Sequence, residues 1–112
     1  MENKYLNEIT KLLQQVFPRL AITHNLKFKN CFGAVAGYID GNIFISCGKF
    51  GVALKLPKAV LDNLFNDKDV KHLKYFPNGH IKKEYVVLSR RILENKKILK
   101  KLIDRSIKFV KT

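Results

Sequence analysis

The sequence predicts an α+β fold in the order helix, three-stranded antiparallel meander, helix, two strands, C-terminal helix, with the helices packed on one face of the sheet. Three observations predict it. Apolar residues recur at steps of three and four near both ends of the chain, they alternate with polar ones through the middle, and Asp40-Gly41 separates two strand-like runs.

The first helix is written by Tyr5, Leu6, Ile9, Leu12, Leu13 and Val16, with Lys4, Glu8, Lys11, Gln14 and Gln15 between them. Asn3 can cap its start, and Pro18 restricts Phe17 and closes it. From Phe28 to Leu56 the pattern turns to strands. Asp40-Gly41 lies between AVAGYI and NIFISC, and an Asp-Gly pair suits the type I′ turn, which needs positive φ at both central residues. A two-residue loop there sets Ile39 opposite Asn42, Tyr38 opposite Ile43, Gly37 opposite Phe44 and Ala36 opposite Ile45, with Gly37 leaving room for the ring of Phe44. In this register Cys47 faces Ala34 and Cys31 points to the other side of the sheet, so the two cysteines are expected as free, buried thiols.

Gly48-Lys49-Phe50-Gly51 makes a second reversal, and VALKLP alternates as the third strand. Pro57 can open a second helix carrying Ala59, Val60, Leu61, Leu64 and Phe65 as its apolar side up to Asn66. A polar loop to Lys71, a short strand over Leu73 to Phe76, a Pro77-Asn78-Gly79 turn and a strand over Lys82 to Ser89 follow. From about Asn95 to the end, Ile98, Leu99, Leu102, Ile103, Ile107 and Val110 form one helical face, and lysines gather opposite. Ser106 falls within the apolar face, where its hydroxyl can bond a carbonyl one turn back.

The 112 residues form a single domain, residues 1–112. The opening MENKYLNEIT lacks the basic and apolar regions of an export signal, and the longest nearly apolar run, Cys31 to Ile39, is too short to span a bilayer. A cytoplasmic location without membrane insertion is therefore expected.

Gly33, Gly37 and Gly41 raise the question of a phosphate cradle. A P-loop needs Gly-Lys followed by Ser or Thr and then a helix, whereas Gly48-Lys49 runs into Phe50 and a strand; a G-x-G-x-x-G fingerprint is missing too. The glycines read as hairpin geometry, and no cofactor is expected. His24, His72 and His80 and the two cysteines lack metal-ligand spacing, and the serines lack a nucleophile-elbow context. A catalytic site would require a pocket gathering His80, Glu84 and Tyr85, so the expectation is a protein that is not an enzyme.

Charge is the compositional outlier. The formal net charge is +13, with eighteen lysines to four arginines and fourteen of these cations after residue 60. Such an excess favours polyanionic partners. The candidate nucleic-acid or partner-binding residues are Lys82, Lys83, Arg90, Arg91, Lys97, Lys100, Lys101, Arg105 and Lys108. Arg90 and Arg91 are the foremost of these, because a guanidinium fork grips phosphate oxygens in pairs. No zinc-finger spacing, RNP-type aromatic motif or evident helix-turn-helix accompanies them, which leaves backbone contact without base reading as the nucleic-acid alternative. Lipid binding by the last helix conflicts with the need for its apolar face to cover the sheet.

FGAVAGYIDGNIF, VALKLP, and LKYFPNGHIKKEYVVLS followed by a terminal helix containing Ser106 resemble the N-terminal domain of the TfoX/Sxy proteins, associated with regulation of natural competence. The similarity runs from about Phe17 to Lys111 and rests on Phe32-Gly33, Asp40-Gly41 followed by Phe44, Leu54-Lys55-Leu56, and Tyr85 in order and spacing. Cys31 stands where the family often has Met, and the second, helix-hairpin-helix-type domain of the longer competence regulators has no counterpart in these residues. The resemblance implies a secretion-chaperone-like α+β domain without catalytic residues. A complete fold without a reactive constellation points to a non-enzymatic interaction or regulatory module, similar to that domain, that acts through protein contacts and can pair with itself as a homodimer through an exposed sheet face or strand edge.

Overall fold

The computed structural model describes residues 3–76 and 78–111. Its architecture is α+β: a six-stranded antiparallel sheet in the order β1-β2-β3-β4-β6-β5, with helices packed on it and a long C-terminal helix. Helix α1 (Lys4–Val16) begins as its sequence predicts, with Asn3 Oδ1 accepting from the Tyr5 and Leu6 amides at 3.1 Å. Its stripe of Ile9, Leu13 and Val16 is buried. A short α2 (Leu20–Thr23) then turns the chain into the sheet.

The meander has four strands rather than the expected three. Strand β1 (Leu26–Cys31) precedes β2 (Ala34–Ile39), β3 (Asn42–Gly48) and β4 (Gly51–Lys55). LKFKNC alternates, but every residue of β1 keeps some exposure, because it is an edge strand pairing only with β2. Its apolar signal is correspondingly thin. Asp40 and Gly41 both take positive φ, as a type I′ turn requires, and Asp40 is tied to Asn25 by reciprocal bonds through its carboxylate and its amide.

The expected register holds for Ile39–Asn42 and Tyr38–Ile43 and then slips by one. A bulge leaves Phe44 without a directly opposed partner, so Gly37 faces Ile45, Ala36 faces Ser46, and Cys47 faces Val35 rather than Ala34. The bulge lets Phe44 and Ile45, adjacent in sequence, both be wholly buried in the main core. Gly37 is where this succeeds: a Cβ there would lie 2.6 Å from Ile45 Cγ2 and 3.3 Å from the Phe44 ring. Cys31 and Cys47 remain on opposite sides of the sheet and are free thiols.

Helix α3 (Lys58–Leu64) follows Pro57. Strand β5 (Lys71–Leu73) comes slightly earlier than the expected Leu73 to Phe76, and it pairs with β6 (Lys82–Val87), which returns to lie beside β4. Pro77 of the expected turn lies outside the described residues. The segment before the last helix contains its own short helix, α4 (Arg90–Glu94), whose start is capped by Ser89 Oγ accepting from the Ile92 amide. Helix α5 (Lys96–Lys111) buries Leu99, Leu102, Ile103, Ser106 and Ile107.

Because directly opposed residues share a side of the sheet, the pairing sorts the two faces. Val35, Ile45, Cys47, Val52, Leu54 and Val86 face the helices and form the main core with α1, α3, α4 and α5. The other face carries the row Ala36, Ser46, Ala53, Val87. A small second cluster of Ala53, Leu73 and Val87 with Phe50, Tyr75 and Tyr85 lies on it.

Candidate interaction surfaces

The nine basic residues singled out by sequence divide between two places: Arg90, Arg91 and Lys97 line one hollow on α4 and α5 and Lys97, Lys100 and Lys101 another, whereas Lys82 and Lys83 stand on β6. Arg90 Nε lies 3.3 Å from Glu94, an exposed pair one turn apart, and Arg91 is ion-paired with Asp67. Asp67 also accepts from the Asp69 amide at 2.9 Å; this bond, with the Arg91 pair, holds its carboxyl below the usual aspartate range. Both arginine forks are thus engaged by carboxylates within the fold. Lys82 and Lys83, adjacent in sequence, part company: Lys82 Nζ stands 6.0 Å from the Tyr75 ring on the second sheet face, whereas Lys83 joins a groove with Leu61, Phe65, His72 and Glu84. On α5, Lys108 pairs with Asp104 at 2.9 Å and Lys100 lies 5.5 Å over the ring of Phe17. Lys97, Lys101 and Arg105 are exposed and form no ion pair with a described residue.

Residue types that could carry chemistry are absorbed in packing. The Cys47 thiol is buried, donates toward Glu8 Oε2 at 3.5 Å, and is pushed up to about 12, chiefly by burial and then by the bond to that carboxylate. His72 stacks on Phe65 with ring centroids 4.3 Å apart. Glu84 is held by Lys55 at 3.3 Å and lines the groove beside Phe65, whereas Tyr85 packs in the small cluster on the other face. The alternation of a strand therefore parts Glu84 from Tyr85, two of the three residues that an enzymatic pocket would have to gather. Among the described residues no three His, Cys, Asp or Glu side chains group as a metal site, and no helix is long and apolar enough to cross a membrane.

The buried serines also serve the fold. Ser106 was expected to bond within its own helix; instead its hydroxyl reaches the sheet, 2.6 Å from the Lys55 carbonyl and 3.0 Å from that of Phe44. That places it where β3 and β4 cease to pair, just beyond Ile45–Leu54. Ser46, wholly buried on the second face, accepts from the Tyr75 hydroxyl at 3.3 Å.

The second face is the feature sequence reasoning passed over. Tyr75, from the segment after β5, reaches across β6 and β4 to Ser46 on β3, over a floor of small residues. Burial raises its phenol above the ordinary value, and that of Tyr85 likewise. Around Tyr75 stand Phe32, with centroids 5.5 Å apart, and Phe50 at 5.6 Å, while Phe76 meets Phe32 edge-on at 5.4 Å. Phe32 is 67% exposed and Phe76 54%. Phe32 also has φ +50, in the left-handed region that a bulky side chain seldom occupies. Lys29 Nζ lies 5.0 Å from the Tyr38 ring on the same side. The signal available in sequence was an aromatic residue occupying a two-residue turn beside Gly33, where Asn or Asp is usual.

The geometry thus defines an antiparallel sheet roofed by helices on one side and bearing aromatic rings and lysines on the other. Compared with protein-family models, curated proteins and solved structures, the chain matches none.

Proposed function

We propose that this protein is a non-enzymatic interaction or regulatory module, similar to the N-terminal domain of TfoX/Sxy competence regulators, that acts through protein contacts. The observation that carries the reading is the division of labour among its polar groups: Cys47, Ser46, Ser89 and Ser106 are buried and hydrogen-bonded within the fold, while an unpaired strand edge and cations are turned outward. An edge strand offers free backbone donors and acceptors to another chain. On β1 that edge carries Lys27 and Lys29 on one side, which favours a partner strand bearing carboxylates.

Self-pairing through β1 is the less favourable form of this reading. A two-fold antiparallel pairing keeps like faces together and sets Lys27 and Lys29 against the same lysines of the second copy, a like-charge cost. Light scattering across a dilution series tests it: a dimer that strengthens with salt supports self-pairing, and a monomer at high concentration ends it. For the module itself, the test is capture of partners from the native cell with and without nuclease. Protein partners that persist after nuclease, and are lost on changing Lys27 and Lys29 to Glu, support the reading; partners that vanish with nuclease defeat it.

A second reading, contact with a phosphate backbone by the outer face of α5, is favoured by Lys97, Lys101 and Arg105 being free of ion pairs with described residues. It requires a steep fall of affinity with salt and its loss on changing Lys97 and Lys101 to Glu.

A further inference from the structure

We infer that the second face of the sheet, at the end where Phe32 and Phe76 stand, binds single-stranded nucleic acid, with the rings stacking on bases and Lys29 and Lys82 meeting phosphates. This goes beyond the protein-contact reading and does not depend on it, and it uses a surface distinct from α5.

Three observations carry it. Two large aromatic rings are more than half exposed and touch one another, although the fold has a core in which apolar rings are buried. Phe32 is held there in a left-handed turn that Asn would make without strain, so the turn geometry alone does not explain the ring. Finally, the charge at this end of the face has one sign. Lys29 and Lys82 sit over Tyr38 and Tyr75. The described carboxylates lie away from Phe32 and Phe76: Glu8 reaches Cys47 on the helix-covered face, Asp40 sits in the turn at the opposite end, Glu84 is held by Lys55 and lines a hollow with Tyr38 and Gly41 toward that same end, and the others belong to helices or to the loop before β5.

Exposed rings interleaved with lysines call for a polyanion that carries flat faces. Single strands meet both demands, because every base has a π-face and every linkage a negative charge. A duplex hides its base faces. A second copy of this chain would bring lysine against lysine, and an acidic peptide would answer the lysines while leaving the rings in water. Lys29 stands opposite Ala36, two residues along β2 from Ala34 and about 7 Å at strand rise, so the path from Phe32 to Lys29 accommodates a short run of nucleotides.

The test is fluorescence anisotropy of the full chain at about 50 mM salt with a labelled oligothymidylate of about 12 nucleotides, within the site sizes of small single-strand binders. A labelled duplex and labelled polyglutamate are run beside it. Phe32→Asn is the informative variant, since Asn-Gly is a favoured type I′ pair and the fold should be kept or stabilised. We expect it to weaken the oligothymidylate about tenfold, the size of one lost base stack, with an unchanged or higher melting temperature. Lys29→Gln and Lys82→Gln should each lower the log affinity against log salt slope by about 0.7. If Phe32→Asn lowers the melting temperature instead, Phe76→Ser reads the same stack from the loop. The inference is overturned by no binding at low salt, by duplex or polyglutamate binding as tightly as the single strand, or by affinity that ignores Phe32 and Phe76 and disappears in a Lys97→Glu, Lys101→Glu double variant.

Discussion

At the scale of single residues, Ser106 shows how one hydroxyl can join a helix to a sheet. With one proton and two carbonyls in reach, at 2.6 and 3.0 Å, it donates to one or shares its proton between the two acceptors where β3 and β4 cease to pair. Replacing it with Ala removes the one donor these two carbonyls share, and the expected cost is about 1–3 kcal/mol. Urea unfolding would measure this; a loss below a few tenths would mean the carbonyls find other donors. Cys47 makes the opposite case, of a reactive group silenced by its surroundings. Its thiol is raised from an ordinary value near 9.0 to about 12, so the stability tied to the protonated form is intact below pH 9.0 and drains as pH climbs toward 12. At pH 8 an alkylating reagent should modify half-buried Cys31 and spare Cys47 until the protein unfolds. Equal rates in the native state would contradict the burial.

At the scale of elements, the β2–β3 hairpin departs from regularity where a core ring needed space. The bulge after Gly37 seats Phe44 and Ile45 in the same core, and a methyl at Gly37 would collide with Ile45 Cγ2. Gly37→Ala should cost about 1–3 kcal/mol, as over-packing usually does, read as a lowered denaturation midpoint with unchanged slope. Helix α4 is tied to the loop before β5 by Arg91 and Asp67. The Asp67 carboxyl titrates below its ordinary value, so this tie is complete above about pH 3.9, the unperturbed aspartate value, and is lost only as pH falls through the lowered one. An NMR titration should show Asp67 ionising below the ordinary aspartate range; a midpoint at or above that range would refute the tie. These elements also mark the limits of sequence reading. α1, the Asp40-Gly41 turn and α5 were legible because periodicity and turn chemistry are local. β1 was not, since an edge strand with alternating lysines has half the apolar signal, and neither was the bulge, which answers to neighbours distant in sequence.

At the scale of the whole molecule, a net charge of +13 on 112 residues works against compaction. Raising NaCl from low ionic strength to about 0.5 M shortens the Debye length to a few ångströms and should raise the melting temperature. A fall would mean that the short-range pairs of Lys55, Lys58, Arg90, Arg91 and Lys108 outweigh the repulsion. The candidate surfaces also belong to this scale. Arg90 and Arg91 looked best placed in sequence, but the fold sets carboxylates beside them. Phe32 and Phe76, forty-four positions apart, were invisible as a pair until the segment after β5 folded back across the sheet.

By itself the sequence determined the α+β class, the order of its principal helices and strands and the type I′ turn, because each follows from local period and backbone chemistry, whereas the opposition of the two cysteines rests on the bulge and on the β1–β2 turn. Only the tertiary structure decided which cations remain free, where Ser106 sends its hydroxyl, and which rings share the face away from the helices. Those depend on contacts between residues far apart in the chain, which no local pattern encodes.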